Sequence, residues 1–178
     1  MDQTPIGRAV IRLAAVTALA GGMSLALVTA ITVLSVIGRA LIPLGLRPIP
    51  GDVELVQAGV LFAIFSFLPW CHIERGNAIV AILTDRFPVR ATVTLEALWD
   101  AVMLIAATLI AWRLALGLMD KFGNGESTFI LRIPMWIVYA AGMIGAVVFV
   151  VAAVYCVVRS TRNALSPVPV VPVSGAGE

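Results

Sequence analysis

The sequence predicts an all-α integral membrane protein of four transmembrane helices, with an interfacial amphipathic helix between the second and third and both termini in the cytoplasm. Hydrophobic residues fill 61% of the 178 positions and charged residues 12%, against about 25% charged in soluble globular proteins. The charges also collect between four apolar stretches, each close to or above the roughly 20 residues that a bilayer crossing needs. Orientation follows from the basic residues. The start (Arg8, Arg12), the middle loop (Arg75, Arg86, Arg90) and the tail (Arg159, Arg162) hold seven, and the alternate loops (Arg39, Arg47, Lys121, Arg132) hold four. Cytoplasmic loops carry the excess of Lys and Arg, so the termini are expected inside.

The first crossing is expected over about 11–37, because Leu13–Ile37 contains no charge. Ala18-Leu19-Ala20 imitates a signal-peptidase site, but only five residues separate it from Arg12 and the apolar run continues far beyond it. Signal peptides have an apolar region of about 7–15 residues, so a crossing that stays in place is expected. Ala14, Ala18, Gly22, Ala26 and Ala30 recur every four residues. Such small residues let helix backbones approach closely in lipid, the partner being either another helix of this chain or a separate subunit.

Pro43, Pro48, Pro50 and Gly51 stop that helix and set the second, expected over about 54–73, which opens beside Asp52 and Glu54 and has Pro69 near its end. The stretch Cys71–Arg90 is too interrupted to cross. Asn77 can cap a short helix that Pro88 ends, and Ile79, Ile82, Leu83 and Phe87 fall near one side of it, which predicts an interfacial helix over about 77–87.

The third crossing is expected over about 96–119, with Glu96, Trp99 and Asp100 at its start, Ala107, Ala111 and Ala115 at four-residue spacing, and Arg113 inside it. An Arg at mid-depth costs roughly 2.5–3.5 kcal/mol on insertion scales; placed near the end of its helix, this one is expected to snorkel to the headgroups. The polar turn through Gly125 leads to Arg132-Ile133-Pro134 and a fourth crossing over about 133–158, where Trp136 and Tyr139 suit the interfacial depth. Pro134 belongs in a first helical turn, where its missing N–H has no intrahelical role. Residues 1–165 thus form one four-helix domain, and the Pro/Val/Ser/Gly tail 166–178 is expected to be disordered.

The chemistry in these segments is sparse. Cys71 and Cys156 form no CxxC motif, and bis-His haem ligation would require a second histidine beside His72, the single one in the chain. An end-of-helix His of this kind is expected to be interfacial or capping. The carboxylates stand at helix ends beside arginines, as solvated pairs rather than an acid/base pair, and neither a catalytic triad nor a phosphate-cradling loop is present. Dispersed basic residues exclude a nucleic-acid footprint. The expectation is a protein without catalytic residues, cofactor or metal.

Read together, several pieces resemble one family. They are Glu54 at the start of the second helix, Arg75-Gly76 before the interfacial segment ending Asp85-Arg86-Phe87-Pro88, and Trp112 in the third helix. Gly125-Glu126-Ser127 and Ile133-Pro134-Met135-Trp136 with Tyr139 complete them. In order and spacing, from about Val10 to Arg159, they resemble the small (Q-type) membrane subunit of tripartite ATP-independent periplasmic (TRAP) transporters. The sequence departs from the family at Asn77, where a His is frequent, and at Val80-Ala81, where a Val-Asp pair is frequent.

The resemblance implies a bacterial inner-membrane subunit that supports a large sodium-coupled membrane subunit, which imports an organic acid delivered by a periplasmic binding protein. The expected partner interface comprises Ala14, Ala18, Gly22, Ala26, Ala30, Glu54, Ile79, Ile82, Leu83, Phe87 and Trp136. Lys121, Glu126 and Arg132 are expected to face the docking binding protein. The alternatives are a membrane anchor of a redox enzyme and a self-contained small transporter; continuous helices without an internal repeat argue against the latter.

Overall fold

Residues 5–74 and 89–165 are described by a computed structural model, in which four long helices follow one another: α1 (Pro5–Ala40), α2 (Asp52–Ile73), α3 (Val89–Asn124) and α4 (Met135–Leu165), with a 3-10 turn at Ile42–Leu44. Each is long and apolar enough to cross a membrane. Helices α1 and α3 outrun their expected crossings at both ends. A charge-free run measures hydrocarbon thickness, whereas Arg8, Arg12, Glu96, Asp120 and Lys121 are compatible with helix beyond it. At 36 residues each, these helices extend about 54 Å, well beyond the ~30 Å hydrocarbon core. Helix α4 begins one residue after Pro134, which lies just outside the helix instead of in its first turn. The expected interfacial helix 77–87, with Ile79, Ile82, Leu83 and Phe87, lies outside the described residues, as does the tail 166–178.

The helices run up, down, up and down, so the start of α1 and the end of α4 lie at one end of the layer, here the terminal end. The α1–α2 and α3–α4 loops lie at the far end. Across the layer the neighbours are α1, α2, α4 and α3, with α1 also reaching α4. In the most apolar window of α4 44% of residues are buried, against 6% in α3, so α4 is the central helix and α3 an edge. The core follows α4 through Ala146, Phe149, Ala152, Ala153 and Cys156.

Small residues bring the backbones together. On α1 the buried positions Gly7, Ala14, Gly21, Val28 and Ser35 form a seven-residue repeat, and Gly38 is buried beside the α1–α2 loop. A step of seven drifts only about 20° around a helix, whereas a step of four advances about 40° at 3.6 residues per turn. The four-spaced set therefore winds off the packed face. Ala14 is buried and Ala18 half-buried, Gly22 has open space around it, and Ala26 and Ala30 are exposed.

Gly21 lies so close to α2 that a Cβ there would stand 2.8 Å from Ser66 Cβ. Nearby, Ser24 donates to the Gly59 carbonyl at 3.1 Å. Between α2 and α4 the approach is closer still. A Cβ at Gly145 would meet Phe65 C and O at 2.6 Å. Pro69, which is buried inside the last part of α2, has no N–H to donate to the carbonyl four residues back, which is that of Phe65. The α4 backbone lies against the carbonyl that the proline leaves without its helical donor, the kind of approach in which Cα–H groups act as weak donors.

Candidate functional site

Between the helix ends the packed interior is built from Ala, Gly, Val and Phe with Ser24 and Ser66 between α1 and α2, and the ionisable side chains with partners concentrate at the two ends of the layer. At the far end, α3 stops at Asn124 and Gly125 takes a left-handed φ of 62°, a conformation that ends helices at little cost for glycine. The chain then folds back on itself. Thr128 N–H donates to the Ile133 carbonyl and Met135 N–H to the Glu126 carbonyl, both at 2.9 Å. Ser127 bridges Pro134, and Arg132 supplies the left-handed turn residue at φ 52°.

This turn aims successive backbone donors at one point. Ile130 N–H donates to Glu54 Oε1 at 2.8 Å and Leu131 N–H to Oε2 at 2.9 Å, with Phe129 N–H and the Thr128 hydroxyl beside the same carboxylate. Consecutive backbone N–H groups form a concave nest for an anion, and here the anion is the first-turn glutamate of α2. The side chain of Leu131 lies over Gly51, the αL residue that caps α2.

Two further ties extend the arrangement to α1 and α3. Ser35 donates to Asp52 at 2.6 Å, with Arg39 3.9 Å away, and Lys121 pairs with Glu126 at 2.6 Å. Asp52, Glu54 and Glu126 thereby join α1, α2, the loop and α3.

At the terminal end the tie is buried. Asp100 of α3 accepts a hydrogen bond from the Ser160 hydroxyl of α4, and His72 Nε2 of α2 lies 3.8 Å from the other carboxylate oxygen. His72 also stands edge-on to Phe149, with centroids 6.0 Å apart. All three polar residues are buried, so His72 and Asp100 are interior groups that unite three helices, not the interfacial and solvated residues expected from their position near helix ends. Near-neighbour spacing gave no warning: Ser160 is 60 positions from Asp100.

The expected interface residues divide accordingly. Both oxygens of Glu54 are occupied within the chain. Lys121 and Glu126 neutralise each other, while Arg132 has no acidic partner among the described residues. Trp136 meets Phe122 edge-on at 5.8 Å and keeps 37% of its surface exposed. Phe129, at the loop tip, is fully exposed. Arg113 is not near its helix end, since α3 continues for eleven more residues to Asn124.

A family model described as "Tripartite ATP-independent periplasmic transporters, DctQ component" matches residues 28–163. Neither the curated proteins nor the solved structures gave a match.

Proposed function

The chain belongs to the DctQ family, the small membrane component of tripartite ATP-independent periplasmic transporters, and on that premise we propose that it is a scaffold which holds the large transport subunit in the bilayer. It is a multi-pass protein of the inner membrane. The observation that supports scaffolding is the division just described. The bundle interior is closed by small residues at backbone contact, and the ionisable groups with partners tie helices to one another at the ends. Secondary carriers instead bring interrupted helices and polar groups to the midplane. The match to a transporter component gives the alternative of a redox-enzyme anchor no support, and His72 is engaged by Asp100 and Phe149.

In this proposal the partners are the large membrane subunit, which moves an organic acid with sodium, and the periplasmic protein that delivers the acid. Both come from the family's tripartite organisation. The excess of arginines supports a cytoplasmic terminal end, which makes the Glu54-held loop periplasmic. Arg132 is then the rim charge open to a docking binding protein, and rim charges act mainly on association rate and its salt dependence.

The test is purification through a C-terminal tag after gentle solubilisation of native membranes. Co-purification of a large multi-pass protein from the same transporter is the expected result. A chain that emerges alone, or with a cofactor-bearing soluble enzyme, contradicts the proposal.

A further inference from the structure

Among the described charged residues Asp100 and Arg113 lie farthest from a helix end, each eleven residues inside α3; Asp100 is buried and bonded to Ser160, whereas Arg113 is exposed. Its depth can be read from its neighbours. Phe122 on α3 stands level with Trp136 in the first turn of α4, which marks the far interface. Nine residues earlier on the same helix, Arg113 lies about 14 Å deeper at 1.5 Å per residue, close to the middle of a hydrocarbon core about 30 Å thick. Leu114, the next residue, lies against Gly142, a full two turns into α4.

Two features oppose escape to the nearer headgroups. Helical side chains leave the backbone tilted toward the helix N-terminus, and for α3 that direction is away from the far interface. In addition, Arg113 is exposed and makes no hydrogen bond or ion pair with any described residue.

Its surroundings have the form of a helix-packing seam. Val102, Ala106, Leu109, Arg113 and Leu116 follow one another at steps of four and three, the spacing that presents one stripe to a neighbouring helix. Val102, Leu109 and Leu116 are 46%, 54% and 45% exposed, on a helix whose one extensive neighbour among the described residues, α4, covers a different face.

We infer that this stripe receives a transmembrane helix of the large subunit that carries an Asp or Glu opposite Arg113. The inference rests on the scaffold reading and adds to it the contact surface and the chemistry of the partner. Charge complementarity selects that occupant. An apolar partner would leave the guanidinium unpaired in hydrocarbon, and intramembrane charges pair with one another or with backbone carbonyls.

The experiment uses the intact complex in native membranes. In Arg113→Leu the amount of large subunit recovered through the tagged chain should fall at least about tenfold, because the acid on the partner loses its counter-ion, while Arg113→Lys retains most of it. The leucine variant removes a charge from a crossing, so its insertion and the melting temperature of the isolated chain in detergent should hold. A photo-crosslinking residue at Leu109 or Leu116 should join the large subunit next to an acidic residue. Wild-type recovery of the large subunit by Arg113→Leu, or adducts at both positions with lipid alone, overturns the inference and assigns Arg113 to snorkelling. If the wild-type chain recovers no large subunit, it is the scaffold reading that has failed.

Discussion

Helices α3 and α4 are both long enough to cross a membrane but opposite in use. Helix α4 presents Gly142, Gly145, Ala146, Ala152 and Ala153 inward and touches all three other helices, whereas α3 rests on α4 through Ala107, Gly117 and Asp100 and leaves Trp112, Leu109 and Leu116 uncovered. In lipid an exposed leucine needs no burial, so apolar composition alone does not decide which helix is central. What marks α4 is where its small residues fall, with Gly142 and Gly145 against α2 and Ala152 and Ala153 fully buried. Small residues permit backbone contact, which is where dispersion and weak Cα–H donors act without a hydrophobic drive.

The largest effect that would break this contrast is expected at Gly145. In Gly145→Ala the new methyl meets the Phe65 backbone, which cannot swing aside as a side chain could, so α4 must move off α2. A loss of about 3 kcal/mol or more is expected, the upper range for overpacking, measured as thermal unfolding of the isolated chain in detergent. A wild-type melting temperature would mean that α2 and α4 are not at backbone contact. Next comes Ser160→Ala, which takes from buried Asp100 the donor that binds α3 to α4. About 1–3 kcal/mol is expected in the same assay, and an unchanged value would make the terminal-end tie incidental.

A smaller and more local effect is expected from Glu54→Gln. Glutamine turns an NH2 group toward one of two backbone donors that a carboxylate accepts together, so the loop should loosen while the helices stay. Hydrogen exchange at the Ile130 and Leu131 amides should quicken; unchanged protection would show that the loop holds its own shape. Smallest of all is Gly22→Leu with Ala26→Leu. These positions face away from the chain, so stability of the isolated chain should shift by no more than about 0.5 kcal/mol. If the outer half of the four-spaced set meets the large subunit, as the family resemblance implies, recovery of that subunit falls in the double variant. Normal recovery would restrict the interface to α3.

Much of this fold was legible before any coordinates, because a bilayer demands long charge-free runs and rewards small residues between helices. The end-to-end ties were not. Glu54 bonds to N–H groups 76 and 77 positions away, and no local spacing encodes a backbone nest. The face of α1 that packs within the chain differs from the four-spaced set for a geometric reason. A repeat of four catches the eye in a run of alanines, yet it precesses about 40° per step, and the face that stays in register joins Gly7, Ala14, Gly21, Val28 and Ser35, in which Val28 interrupts the small residues. Arg113 was visible as an oddity, but its depth depended on how far α3 continued beyond Met119.

The central claim is that this chain supports translocation without performing it. Its most direct test is uptake of the organic acid bound by the cognate periplasmic protein into proteoliposomes containing the large subunit, with and without this chain, beside proteoliposomes containing this chain alone. Sodium-dependent uptake that requires both membrane subunits, with none from this chain alone, is the predicted result. Uptake sustained by this chain alone would contradict the account.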